Sequence, residues 1–252
     1  MRQRSSGRIR RAVKIILVIL FWLAVWQIAS MLVNRSLYMP SPAETFTALS
    51  RIVVTEKFWL DVAFTFYRVV FGIAISFVSG IALAYLASRW SVLETLLGPA
   101  VTAVKSTPVA SVIILALVWF DSSFVPVFSC VLLCFPIFYT NTLSGIKSVD
   151  KDLLEMAAVF GVRHKRVLTG ISVPSVLPNV YSALSICLGF SWKSVVAAEV
   201  LASSKHSMGY NLYTTKLSLE TPELFAWTLT IIIVSIIVEK GLKRILPRGN
   251  RL

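Results

Sequence analysis

The stretch from Asp152 to Pro174, DLLEMAAVFGVRHKRVLTGISVP, gathers the polar chemistry of this chain between two long apolar runs. Asp152 and Glu155 stand near its start, where the positive end of a helix dipole favours negative charge. Leu153, Leu154, Ala157 and Phe160 recur at helical spacing and form an apolar stripe. Gly161 permits the turn that ends such a helix, and Arg163, His164, Lys165 and Arg166 follow it. Pro174 and Pro178 punctuate the start of the next apolar run. These residues do not make a catalytic centre: the two histidines, His164 and His206, lie far apart in loops, and no carboxylates cluster. The chemistry they support is mechanical. A short amphipathic helix either lies on a bilayer or docks into a groove of another protein, and its composition leaves both open.

Three more charges fall within apolar runs, where a charge is costly and invites a functional explanation. Lys193 lies near the middle of its run; it either faces a pore, where a cation suits an anionic solute, or pairs with a carbonyl or carboxylate on a neighbouring helix. Lys105 is either interfacial, with its amine snorkelling to water, or part of the same pathway. Glu199 follows Lys193 by six residues, about 600° of helix rotation, so the two occupy different faces. It is a candidate for an outer gate or for a structural hydrogen-bonding role. His206 has no ligand partners nearby in sequence and reads as solvated.

The elements that must position these groups follow from composition. Of 252 residues, 56% are hydrophobic and 15% charged, with mean hydropathy +0.78, and the apolar residues come in blocks of bilayer-spanning length. An all-α membrane protein with six helices is predicted: Ile15–Val33, Tyr67–Ser88, Gly98–Phe120, Phe124–Ile146, Val176–Ala202 and Leu224–Leu246. The corresponding organisation is a basic tail over 1–14, a membrane domain over 15–246 with its polar loop at 147–175, and a tail over 247–252. The first run is too long for the core of a signal peptide and lacks a clean small-residue cleavage site, so it is read as an anchored helix. The net charge of +13 is a topological signal rather than a nucleic-acid footprint, because no basic face remains once the spans are removed. With the N-terminus inside, inner segments hold 17 Lys and Arg and outer segments six, with Lys105 and Lys193 inside spans; this predicts both termini and the 147–175 loop in the cytoplasm.

Ser41-Pro42-Ala43-Glu44 predicts a capped helix with proline at its first position, lying on the outer membrane surface. Gly72, Ser76, Gly80, Ala84 and Ser88 place a small residue at every fourth position of the second span, a stripe that lets another backbone approach closely. Cys130 and Cys134 share a helix face but lack further metal ligands; with Cys187 they read as small buried hydrophobes. Neither a metal nor a cofactor is expected.

The polar loop resembles the cytoplasmic signature of ABC-importer permeases, E-A-A, three residues, G, nine residues, I-x-L-P. Glu155, Met156, Ala157, Gly161, Ile171 and Val173-Pro174 fill those places, with Met156 and Val173 as departures that keep apolar character. Further matches point to the branch that carries taurine, aliphatic sulfonates, nitrate and related solutes: Met39-Pro40-Ser41-Pro42, Tyr67-Arg68-Val69 with Gly72, Lys105-Ser106-Thr107-Pro108, Val118-Trp119-Phe120, Trp192-Lys193 and Val196-Ala197-Ala198-Glu199. Asp121-Ser122-Ser123 and Ser207-Met208-Gly209 depart from the usual glycine patterns, both at the expected outer mouth.

The resemblance implies a type I importer fold in a bacterial-type inner membrane. It further implies a second permease chain, two copies of an ABC ATPase bound through Glu155, Ala157, Phe160, Gly161, Ile171 and Pro174, and an extracytoplasmic solute-binding protein. The chain carries no G-x-x-x-x-G-K-[ST] phosphate loop, so it is not read as an enzyme, and ATP hydrolysis falls to the partner. An ion-coupled secondary transporter is the competing class, but such proteins usually show internal repeats and more helices, and no clear repeat is present.

Overall fold

A computed structural model describes the backbone of residues 2–245; the expected tail at 247–252 and Leu246 lie outside the described residues. The described residues are helical, with α1 over Arg2–Val33, α2 over Pro42–Val53, α3 over Glu56–Arg89, α4 over Ser91–Ser106, α5 over Val109–Trp119 and α6 over Val125–Lys147. These are followed by α7 over Lys151–Val159, α8 over His164–Val167, α9 over Val173–Leu201, α10 over Met208–Leu217 and α11 over Thr221–Ile245. By length and composition five of these helices can cross a membrane, or six spans if the bent pair α4–α5 counts as one.

That bend corrects one expectation. The third span, read as a single helix over Gly98–Phe120, is two helices meeting at 106°. Pro108 is the cause. It has no N–H to donate into the helix, and its ring disfavours helical backbone at the preceding residue. Thr107 and Pro108 are accordingly extended, with ψ of 130° and 125°. Two other spans are longer than their apolar cores: α3 begins at Glu56, well before Tyr67, and α9 continues back through a π-turn at Leu168–Ser172 into α8, making one 38-residue rod, His164–Leu201.

The chain divides into two compact units, Met1–Trp59 with Asn211–Thr230 and Leu60–Tyr210 with Ile231–Leu252. In the first, the expected capping box is formed: the Glu44 amide donates to the Ser41 hydroxyl at 3.2 Å and the Ser41 amide to the Glu44 carboxylate at 2.7 Å. Trp26 of α1 donates its indole N–H to the Pro40 carbonyl at 3.0 Å and stacks on Phe225, while Phe58 packs on Trp227. Much of the remaining α1 surface, including Leu17, Phe21 and Trp22, is exposed apolar side chain.

The second unit is built on α6 packed along α9. Ser129 and Ser194 hydroxyls meet at 2.6 Å across this pair, and Cys130, Cys134 and Cys187 are free and buried within it. The small-residue stripe of α3 lies against α6. A Cβ on Gly72 would stand 2.6 Å from that of Cys130, and one on Gly80 2.6 Å from that of Phe138, so only glycine permits the observed approach. Ser76 and Ala84 are buried on the same stripe. Ala84 and Ala87 of α3, Val101 of α4 and Tyr139 of α6 form one core cluster; Ile113 and Ala116 of α5, Val125 of α6 and Ala198 of α9 form another.

Candidate functional site

The polar loop folds into a short helix with a defined stop. Asp150 caps α7, its carboxylate accepting from the Asp152 amide at 2.9 Å. At the other end Gly161 adopts φ +61°, the left-handed conformation that is cheap for glycine alone. The Val162 amide then reaches back to the Ala157 carbonyl at 2.9 Å and the Gly161 amide to the Ala158 carbonyl at 3.0 Å, a Schellman closure that satisfies two carbonyls otherwise left open at the helix end.

Ala157 is buried on the inner side of α7. Glu155 is exposed, and so are Met156, Val159 and Phe160; the last two are 84% and 78% accessible. The stripe read from the sequence therefore divides: Leu154 and Ala157 turn toward the bundle, and Phe160 projects from the tip. Past the turn the chain re-enters helix at His164. Ile171 lies in the π-turn and is half-buried, and Pro174 sits exposed in the first turn of α9. The Val173 amide bonds the Leu168 carbonyl, the wider spacing of a π-turn. At the same end Lys147 of α6 pairs with Glu94 of α4, and Asn179 of α9 packs directly on Gly145 of α6.

The three charges in the spans have different surroundings. Lys105 is exposed at the last turn of α4, where a cation suits the helix dipole, and donates to the Thr140 hydroxyl of α6 at 3.2 Å. Lys193 is exposed on α9 with its amine over the Phe190 ring at 5.6 Å; among the described residues no carboxylate or carbonyl pairs with it. Glu199 is fully buried. Its carboxylate accepts from Arg68 at 2.8 Å, from the Thr65 hydroxyl at 3.1 Å and from the Gly209 amide at 3.1 Å.

Arg68 also donates to the carbonyls of Lys205 and His206, at 3.3 and 3.4 Å, so one guanidinium ties α3, α9 and the α9–α10 loop together. Gly209 is required there: a Cβ would lie 2.8 Å from the Val196 carbonyl oxygen. His206, expected to be solvated, has an exposed side chain whose Nδ1 is 3.9 Å from the buried Asp61 carboxylate. Reading by sequence missed Arg68 as the partner of Glu199, because Arg68 stands at the very start of the span read from Tyr67 and was counted among the outer charges. The two segments that depart from the glycine patterns are linked through Ser204, whose hydroxyl donates to the Ser122 carbonyl and whose carbonyl accepts from the Ser207 hydroxyl at 2.7 Å; Ser207 also caps α10 by accepting from the Tyr210 amide at 3.0 Å.

Comparison with known proteins gives the family. Residues 76–248 match the family described as binding-protein-dependent transport system inner membrane component. A Bacillus subtilis protein named an aliphatic sulfonates transport permease, SsuC, is 25% identical over 215 residues, covering 84% of this chain and 77% of its own. The taurine transport system permease protein TauC of Escherichia coli is 23% identical over 232 residues, covering 88% and 83%. The formylaminopyrimidine transport permease protein ThiX of Halalkalibacterium halodurans is 24% identical over 231 residues, covering 91% of both. In fold, the chain is similar to a solved bacterial ABC transporter involved in the import of the acidic polysaccharide alginate, with TM-score 0.66 and 16% identity over 99% of this chain and all of that one. The family match spans more than half of the chain, and the all-helical membrane architecture agrees with it: the protein belongs to the binding-protein-dependent transport system inner membrane components, the multi-pass permease subunits of ABC importers.

Proposed function

We propose that this permease carries a small anion such as a sulfonate or nitrate by alternating access, and that α7 is the helix through which a separate ABC ATPase drives it. The observation that carries the second part is α7 itself: capped by Asp150, closed by Gly161 and presenting Val159 and Phe160 to solvent. Exposed apolar side chains on a rigid polar-loop helix are suited to insertion into a groove. The coupling set is Glu155, Ala157, Phe160, Gly161, Ile171 and Pro174. Ala157 seats α7 on the bundle, Glu155 and Phe160 face the partner, and Ile171 and Pro174 carry the displacement into α9. Two ATPase copies, a second permease chain and an extracytoplasmic binding protein complete the importer, with both termini and the 147–175 loop cytoplasmic.

The anion reading rests on Lys193, an exposed cation on α9 with no ion-pair partner among the described residues, with Lys105 as a second candidate. Glu199 supports the outer end of the pathway by holding the α9–α10 loop through Arg68. Switching is a rigid-body rocking between two packings. The test is recovery of the ATPase from detergent extracts together with solute uptake. Phe160→Asp and Gly161→Val should insert normally, lose ATPase recovery and lose uptake. Normal recovery with both variants would remove the docking assignment.

A further inference from the structure

At the end of the bundle that carries α7, a cavity of about 790 Å³ opens among α3, α6, α9 and the inner side of α7. Its lining runs along α3 from Phe77 to Arg89, twelve residues or about 18 Å at the helical rise. One leaflet of bilayer hydrocarbon is about 15 Å deep, so the cavity has the length of a single leaflet. Its wall is mainly aliphatic, with Ile81, Ile146, Leu177 and Val180 among the contributors.

Its polar groups are placed in order of depth. Arg89 and His164 line one end, beside the exposed Trp90 and with the Arg89 guanidinium 5.6 Å from the Tyr85 ring, the residue mix of a membrane interface. Among the described residues no carboxylate pairs with Arg89. Five residues, about 8 Å, back along α6 from its last residue stands Thr142. Its hydroxyl is buried away from the cavity surface and, unlike that of the other α6 threonine, Thr140, has no hydrogen-bond partner among the described residues.

We propose that this cavity binds one anionic phospholipid from the adjacent leaflet. The phosphate is held by Arg89 and His164, and an acyl chain lies along α3 toward Phe77. Lys165 and Arg166, exposed on α8 beside His164, add attraction for an anionic headgroup. Leu154, Ala158 and Val162 close the cavity from the side of α7, so the lipid fills the space beneath that helix.

Native mass spectrometry of the assembled transporter, reconstituted in nanodiscs of equal phosphatidylglycerol and phosphatidylcholine, tests this without reference to transport. The wild type should retain phosphatidylglycerol over phosphatidylcholine by about fivefold for each basic group engaged. Arg89→Gln, an exposed substitution compatible with folding, should retain lipid while losing most of that preference. Leu177→Trp, which fills the cavity, should abolish retention of both lipids. Equal retention of the two lipids by the wild type, unchanged retention in Leu177→Trp, or a wild type with no lipid attached would each overturn the assignment; the last would mean that a protein segment occupies the cavity.

Discussion

Removing the charge of Glu199 should be among the most destabilising conservative changes in this chain. The carboxylate is fully buried and accepts three hydrogen bonds, while Arg68 is 7% exposed at its side chain and also donates to two loop carbonyls. Glu199→Gln keeps the shape and one acceptor oxygen but leaves the guanidinium charge buried without a counter-ion. Breaking a buried pair from one side costs about 3–5 kcal/mol, most of it from the charge left behind. At roughly 2–4 °C per kcal/mol for a chain of this size, the unfolding midpoint should fall by about 10 °C. The double variant Arg68→Met, Glu199→Gln removes both charges and should recover part of the loss. It retains the cost of the unmet Lys205 and His206 carbonyls, about 1 kcal/mol each. The protein supplies its own reporter: Cys130, Cys134 and Cys187 are free and buried, so a thiol-reactive fluorophore in detergent becomes bright as the bundle opens. A midpoint for Glu199→Gln close to that of wild type, or a double variant less stable than the single, would refute the pairing argument.

Other outcomes follow from the same geometry. Lys193→Met should abolish or redirect anion uptake while leaving assembly and basal ATPase activity intact; normal uptake would make Lys193 structural. Gly72→Ala should lower the midpoint by the roughly 1–3 kcal/mol of an overpacked contact, since its Cβ would lie 2.6 Å from that of Cys130, whereas Gly189→Ala, with nothing within 4 Å, should be tolerated. Single cysteines at Ser5 and at Arg248, the latter outside the described residues, should resist a membrane-impermeant thiol reagent in intact cells, and one at Ser203 should react. Labelling at either terminus would reverse the orientation argued from the 17-to-6 count of basic residues.

Much of the fold was legible because long apolar blocks and small-residue stripes report burial directly. Gly72 and Gly80 occupy the close contacts their spacing implied, and Ser41 and Glu44 form the capping box their types implied. Gly161 likewise ends α7, because a positive φ is a demand that few other residues meet. What escaped notice was of two kinds. Pro108 was visible in the sequence, but the hydropathy of residues 98–120 outweighed it, and hydropathy does not distinguish a straight span from a bent pair. The Glu199–Arg68 pair joins residues 131 apart, and no local periodicity connects them. The Asp150 cap lay two residues before the segment on which attention centred; an Asp immediately ahead of a helix-forming run was the available signal.

The rod from His164 to Leu201 has a consequence in leverage. Thirty-eight residues make about 57 Å of helix, more than the roughly 40–45 Å of a whole bilayer with its headgroups. If it pivoted as one stiff beam, a 10° tilt imposed at the α7 end would swing its far end by about 10 Å. That far end is anchored: Glu199 fastens it to Arg68 of α3. A beam held at its tip and pushed at its base transmits torque, unless it has a joint. The π-turn at Leu168–Ser172 is such a joint, one turn of looser winding between the part that is pushed and the Val173–Leu201 section, about 43 Å long, that fits the membrane. Its compliance sets how much of any cytoplasmic stroke arrives at the outer mouth, and tightening it to α-helical winding would change that gearing without altering a residue on either surface.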